Sequence, residues 1–176
     1  MELLECRLRI DDIDAFVADL AEIGDRYNVT IQAFDARYVA DRAHLEQALA
    51  FADRAFERGE NVARDRAVEI LLYAAGRRQI DRALEMGVSK GDNRAVVLID
   101  CAGTDAGESD SEETETAALE AVTDLEAFVE RTGTLARQDK DTLCAFFDVP
   151  PAERAATDAS LAALVRERVA LLEVEK

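Results

Sequence analysis

The chain has 176 residues, of which 49% are hydrophobic, so we expect a single folded domain over residues 1–176 rather than a disordered chain. Charges interrupt every apolar run, and the first five residues lack the basic and apolar segments of a signal peptide, so we expect a cytoplasmic protein with no membrane span. Three scattered cysteines and one histidine exclude a disulfide framework and a zinc site, and we expect no metal and no cofactor.

The charge is strongly negative but uneven. The chain has 38 acidic and 21 basic residues, a net charge of -17, and only three of the basic residues are lysine. This composition favours a protein adapted to molar salt, and the alternative is a surface that repels acidic partners or binds basic ones. Residues 95–130 contain eleven acidic residues and no basic one, whereas residues 54–82 contain seven arginines and five acidic residues. One face could therefore tolerate a polyanion.

In the first third of the chain, two strands and two helices are predicted. Apolar and charged residues alternate over residues 1–10, as in a half-buried strand. Asp11 or Asp12 then begins a helix, and a second strand is predicted over residues 29–34. The first helix has one apolar stripe, formed by Ile13, Phe16, Val17, Leu20 and Ile23. A second helix over residues 44–57 ends at Gly59.

The remaining residues predict mainly helices. Asn61 is expected to begin a helix to residue 75, whose apolar centre, residues 70–75, indicates a buried central helix, with a buried strand as the alternative. Gly76 ends it, and Arg77 begins another. A third strand over residues 95–99 is followed by a mobile acidic loop at 103–116, then by helices around 119–129, 141–147 and 161–172. This order predicts an α+β fold, with a small sheet of about three strands covered by several helices.

Most of the residue patterns that catalysis requires are missing from the sequence, although carboxylate pairs are plentiful. No glycine-rich phosphate loop and no nucleophile elbow is present. Cys6 and Cys101 fall in or next to predicted strands and are expected to pack as small apolar groups. His44 lies near a helix start, where a neutral imidazole with a local hydrogen bond is favoured over a ligand. We therefore expect no catalytic residues, and the alternative of a stand-alone enzyme that uses carboxylates has no motif to support it.

Arginines fall in the first turns of two predicted helices: Arg64 and Arg66 in one, Arg77 and Arg78 in the next. A helix start with free amides and nearby arginines is an anion-binding arrangement. The alternative is that acidic neighbours such as Asp81 offset the unfavourable placement. Spacing alone leaves the two interpretations open.

The C-terminal part contains the apolar residues Leu143, Phe146, Phe147 and Val149. An ordinary hydrophobic core is the favoured interpretation. Two adjacent phenylalanines on one short helix point in different directions, however, so the alternative is that one of them is an exposed partner contact.

Several segments together resemble the TPRKB family, the small subunit of the KEOPS complex that binds the PRPK-type kinase, and the chain is similar to an archaeal member. The main one is residues 69–88, EILLYAAGRRQIDRALEMGV. The others are residues 32–39 with His44 and Leu45, Asp139-Lys140 with Phe146-Phe147, and residues 164–174. The acidic segment at 103–116 departs from the family and resembles a salt-adapted insertion.

The resemblance implies a non-catalytic regulatory subunit that acts in tRNA modification. KEOPS transfers a threonylcarbamoyl group to the adenosine next to the anticodon; its transferase subunit does the chemistry, and the kinase-like subunit is an ATPase. The family binds and stimulates that kinase and, in archaea, helps to hold tRNA by its 3′ CCA end. The implied tRNA-binding residues are Asn61, Arg64, Tyr73, Arg77, Arg78 and Gln79, and the implied kinase-interface residues are Phe146, Phe147 and Val149. A halophilic homodimeric structural or adaptor protein without RNA binding is the alternative.

Overall fold

The computed structural model describes residues 1–101 and 108–174, which form two compact units. Unit 1 comprises Met1–Asp35 and Val88–Thr134, and unit 2 comprises Ala36–Gly87 and Leu135–Lys176. No helix within the described ranges is long and apolar enough to cross a membrane. That the whole chain behaves as a single domain stays a prediction.

Unit 1 contains a four-stranded antiparallel sheet. Its strands are β1 (Glu2–Ile10), β2 (Thr30–Asp35), β3 (Gly91–Asp100) and β4 (Phe128–Arg131), in the order β2-β3-β1-β4. The three predicted strands are confirmed. The fourth was missed, because residues 119–129 were expected to be helical. β4 is only four residues long and mostly exposed, so its sequence has no burial pattern that indicates a strand. It is defined by its pairing with β1, where Arg7 lies opposite Glu130.

Two helices pack on one face of this sheet, α1 (Ile13–Tyr27) and α5 (Glu108–Thr123), with helices numbered in chain order. Asp12 begins α1 by accepting the backbone N–H groups of Asp14 and Ala15, as predicted. Val17 is 55% exposed and does not belong to the buried stripe in which it was placed. The stripe is narrower than predicted and consists of Phe16, Leu20 and Ile23.

The core of unit 1 follows the alternation of β1. Leu4, Cys6, Leu8 and Ile10 are buried and pack in one cluster with the inner sides of α1 and α5. Burial raises the pKa of the Cys6 thiol to about 12, so this cysteine is a small apolar group rather than a nucleophile. The expectation for Cys6 is therefore confirmed.

The predicted acidic loop at 103–116 is partly wrong. Residues 103–107 lie outside the described residues, but residues 108–116 form the first half of α5. The buried Glu115 carboxylate accepts the backbone N–H of Cys101 at 3.0 Å, which connects this half of the helix to the end of β3. This half of the helix was not predicted, because its sequence is rich in serine and glutamate and the apolar residues of α5 that join the core begin only at Ala118.

Unit 2 is helical. It contains α2 (Arg42–Arg58), α3 (Arg66–Ala75), α4 (Ile80–Ala83), α6 (Lys140–Phe146), α7 (Pro151–Ala156) and α8 (Leu161–Val174), with short 3₁₀ turns at Ala36–Tyr38 and Leu84–Met86. Gly59 and Gly76 end α2 and α3 in the left-handed conformation, with φ of 68° and 60°. Every residue from Glu69 to Ala75 is buried, so the predicted central helix is confirmed over the strand alternative. The α+β class is confirmed as well.

Candidate functional site

Arg77 and Arg78 lie in the connection between α3 and α4, not in a helix. The N–H of Gly76 closes α3 onto the carbonyl groups of Leu72 and Tyr73, and α4 begins only at Ile80, with Gln79 as an N-cap whose side chain makes no capping hydrogen bond. The prediction that the two arginines occupy a first helical turn is therefore wrong. A four-residue helix also has a very small dipole, so the anion-binding argument from the helix start does not apply here.

The two arginines have different environments. Arg77 Nη2 donates to the carbonyl oxygen of Phe146 and lies 3.3 Å from Asp148 Oδ2, while its guanidinium carbon is 5.5 Å from the centre of the Phe146 ring. Arg78 is exposed and has no hydrogen-bond or ion-pair partner among the residues described. Arg77 therefore fixes the turn after α6, and Arg78 is the guanidinium available to a ligand.

A shallow depression of about 290 Å³ adjoins these residues and is lined by Arg77, Gln79, Arg82 and Asp148. Gln79 and Arg82 are exposed. The predicted site residues Arg77, Arg78 and Gln79 thus occur together at one end of α3. Arg82 belongs to the same surface; the sequence held a signal for it, since it closes the arginine-rich stretch 54–82.

Asn61 and Arg64 precede α3 instead of beginning it. Asp65 is the N-cap, and its carboxylate accepts the N–H of Val68 at 3.0 Å. The Asn61 side chain donates to the carbonyl oxygen of Ala63 at 2.7 Å, so the prediction that it caps the helix is wrong. Arg64 is exposed in this loop.

Glu69 holds the 61–65 loop from inside. Its carboxylate is 1% exposed and accepts the N–H groups of Val62 at 3.0 Å and Ala63 at 2.7 Å. Sequence analysis missed this role, because Glu69 resembles an ordinary first-turn acid of α3. The signal was an acidic residue next to the fully apolar run 70–75, where burial requires hydrogen-bond partners.

Replacing Glu69 by alanine should lower the free energy of unfolding by about 2 kcal/mol, because the buried N–H of Ala63 and the partly buried N–H of Val62 lose their acceptor. Urea denaturation measures the loss. Glu57→Ala, on the exposed surface of α2, is the matched control and should change stability by less than about 0.5 kcal/mol. Equal stability of the two variants would contradict the internal role of Glu69.

Tyr73 is unavailable to a ligand. It is fully buried in α3, and the centre of its ring lies 5.8 Å from that of Phe51. The expectation that it could offer a ring to a base is therefore wrong. The physical reason is the position of Tyr73 inside the buried run 70–75, which was itself predicted from the sequence.

His44 is a fully buried neutral imidazole. Its Nδ1 accepts the N–H of Ala40 at 3.2 Å, so the proton lies on Nε2, which donates to the carbonyl oxygen of Ala74 at 2.8 Å. Burial lowers the pKa of His44 to about 4. Both ring nitrogens are engaged, so the expectation of a neutral, hydrogen-bonded histidine is confirmed.

The predicted kinase-interface residues differ in accessibility. Phe147 and Val149 are 1% and 3% exposed and belong to a core cluster with Leu143 and Leu164, so the prediction that they form a surface is wrong. Phe146 is half-buried. The turn that follows it folds Phe147 inward, because Arg168 donates to the carbonyl oxygen of Phe147 at 3.2 Å.

Phe146 belongs to a surface that sequence analysis did not identify, which we call the aromatic–arginine surface and define by Arg37, Tyr38, Arg77 and Phe146. The Tyr38 and Phe146 ring centres are 4.8 Å apart, and both residues are half-buried. Arg37 lies 5.6 Å from the Tyr38 ring centre, and Arg77 covers Phe146. Only the fold brings residues 37–38 to residues 77 and 146.

Aromatic rings and arginines are enriched at the centres of protein–protein interfaces, so the aromatic–arginine surface is typical of a partner contact. The profile of one family, described as kinase binding protein CGI-121, matches residues 12–173. The chain therefore belongs to the CGI-121 family of kinase-binding proteins. A search of the curated proteins gave no match.

Proposed function

We propose that this chain is the non-catalytic subunit of a KEOPS assembly that binds and stimulates a PRPK-type kinase and helps to recruit tRNA through its 3′ CCA end. The kinase and the transferase would then perform the threonylcarbamoyladenosine modification next to the anticodon, the transferase being only an indirect partner. The observation that carries the proposal is the membership of a kinase-binding family over residues 12–173. The exposed arginines of unit 2 support its RNA part.

The RNA-binding proposal rests on a small cationic region in an acidic protein. Arg78, Gln79 and Arg82 are exposed together at the end of α3 and the start of α4, whereas Arg64 is exposed at the opposite end of α3, in the loop before it. Guanidinium groups suit both phosphates and the edges of unpaired bases. The aromatic–arginine surface is continuous with this region through Arg77 and offers two rings on which bases can stack.

The net charge of -17 restricts how RNA can bind. A long-range attraction to the phosphate backbone is absent, and binding that depends on counterion release weakens steeply as salt rises. Stacking and base-edge hydrogen bonds to a single-stranded end do not need a broad basic surface. The charge therefore favours recognition of a short unpaired end, such as CCA, over recognition of a duplex.

The two proposed binding surfaces adjoin. Phe146, the accessible member of the proposed kinase interface, accepts a hydrogen bond from Arg77, a proposed tRNA-binding residue. One surface would thus serve both partners side by side, or Phe146 would belong to the RNA site. We expect tRNA and kinase binding to influence each other for this reason.

Arg78→Glu should weaken binding of intact tRNA by about tenfold or more, because an exposed guanidinium that donates hydrogen bonds to RNA is replaced by a carboxylate that can only accept them. Arg137→Glu, an exposed arginine of unit 2 outside the proposed site, is the control with the same charge change and should have a much smaller effect. Affinities are measured with labelled tRNA in about 2 M KCl, where the nonspecific electrostatic part is suppressed.

The same measurement on tRNA trimmed of its CCA end tests which part of the RNA is bound. Wild-type protein should lose affinity for trimmed tRNA, and the Arg78→Glu variant should bind intact and trimmed tRNA equally weakly. Equal wild-type affinity for both tRNAs would contradict CCA recognition. If the two arginine variants behaved alike, Arg78 would drop out of the site.

A further inference from the structure

Unit 1 contains a long groove along α1. Two adjoining depressions, of about 390 and 550 Å³, meet at Asp19 and together follow α1 from Asp12 to Tyr27. The α1 residues that line them recur every three or four positions and so form one face of the helix. The opposite wall is formed by residues 126–129, at the start of β4, at the Asp12 end of the groove and by α5 and residues 124–125 at the Tyr27 end.

Apolar side chains lie at the bottom of this α1 groove. Phe16 and Ile23 of α1 lie at its base, and Leu125 and Phe128 form the opposite side, where both are partly buried. Small residues on α5, Ala117 and Ala121, leave space between the two helices. A groove that follows one stripe of a helix along its whole length, with a second helix opposite part of it, has a shape that can accept a third amphipathic helix.

The rim of the groove is acidic and mostly uncompensated. Glu22 is paired with Arg26 at 2.7 Å, and Arg9 is engaged with Asp92 at 3.3 Å. Asp19, Glu120 and Asp124, which are all exposed, have no cationic partner within residues 1–101 and 108–174. Asp11 and Glu126 add two further carboxylates at the β4 end. Both arginines that line the groove are therefore paired with carboxylates, and the charge that remains along the rim is negative.

We propose that the α1 groove is a docking site for a basic amphipathic segment of a partner protein, with apolar residues on one side and lysine or arginine on the other. Charge selects this occupant, because a second copy of the groove would set carboxylates against carboxylates and RNA would be repelled. The residues proposed for tRNA and kinase all belong to unit 2. The groove belongs to unit 1, and its proposed role does not depend on the proposed function.

The test uses fluorescent helical peptides of 15 residues, the length of α1. The first has leucine at helical spacing and lysine elsewhere, and the second has serine in place of leucine. In about 1 M KCl, where exposed charges are screened beyond roughly 3 Å, only the leucine peptide should bind. Its binding should shift backbone NMR signals of α1 and α5 in the intact protein.

Three sets of variants locate the binding. The triple variant Asp19→Asn, Glu120→Gln, Asp124→Asn should bind the leucine peptide about tenfold more weakly at low salt. The control triple variant Glu57→Gln, Glu85→Gln, Asp158→Asn changes exposed positions of unit 2 and should alter this affinity by less than about twofold. Ala121→Trp should fill the groove and abolish binding at both salt concentrations. Ala117→Trp, on the same stripe, is a second filling variant.

Several outcomes would overturn the proposal. The first is that the leucine peptide does not bind, and the second is that the two triple variants have equal effects. The third is that both tryptophan variants retain the native NMR spectrum and bind the peptide with unchanged affinity. Loss of tRNA binding or of self-association in the tryptophan variants would assign the groove to those partners instead.

Discussion

Replacing Phe147 by alanine should lower the free energy of unfolding by about 3–5 kcal/mol, the largest single-residue effect expected in unit 2. Phe147 is 1% exposed and packs in a cluster with Leu143 and Leu164. The centre of its ring lies 5.5 Å from that of His44 in an edge-to-face arrangement. Alanine leaves a cavity at this position. Arg168 donates to the carbonyl oxygens of Phe147 and Asp148, and these hydrogen bonds keep the turn from moving inward to fill the cavity. Urea denaturation measures the loss.

Phe146→Ala is the matched control at the neighbouring position. Its ring is half-buried, so we expect a loss of only about 1 kcal/mol of stability. If Phe146 contacts the kinase, the same variant should weaken kinase binding by about tenfold or more, as measured by titration calorimetry. Unchanged kinase binding by a folded Phe146→Ala variant would remove Phe146 from the proposed interface.

Acidification from pH 6.5 to about 4 should remove about 3 kcal/mol of stability through His44 alone. Burial lowers the folded-state pKa of this imidazole to about 4, whereas its unfolded-state pKa is about 6.5. Above pH 6.5 both states are neutral and no effect is expected. As pH falls through this range, only the unfolded state binds the proton, so unfolding becomes more favourable.

His44→Gln separates this effect from the titration of carboxylates. The glutamine amide can still donate to the Ala74 carbonyl but does not titrate, so the variant should be less stable at pH 7 and yet lose less stability on acidification. Denaturation at pH 7.0, 6.0 and 5.0 measures the two slopes. NMR provides a direct check, because the chain has a single histidine whose ring should remain unprotonated at pH 5. Equal slopes in the two proteins would rule out His44 as the source.

The residues of the two predicted sites differ in exposure, because contacts between distant residues decide which side chains are buried. Arg78 and Gln79 are exposed, because a glycine cap and a short connection keep them outside any packed helix face. Phe147 and Val149 are buried, because Arg77 and Arg168 hold the turn after α6 by its carbonyl groups and Phe147 and Val149 pack into the core. The sequence contained both arginines, but their partners lie 69 and 21 residues away. Local patterns carry no information on such contacts.

Features set by neighbouring residues were determined by the sequence itself. The apolar period of α1, the glycine ends of α2 and α3 and the buried run at 70–75 all follow from residues within a few positions of each other. The low pKa of His44 is instead caused by burial in the folded protein. Tertiary structure alone decided the rest. It paired β4 with β1, turned Glu69 inward to hold a loop, joined Tyr38 to Phe146 and left a groove beside α1. These features depend on contacts between distant segments, whose energy exists only once the chain has folded.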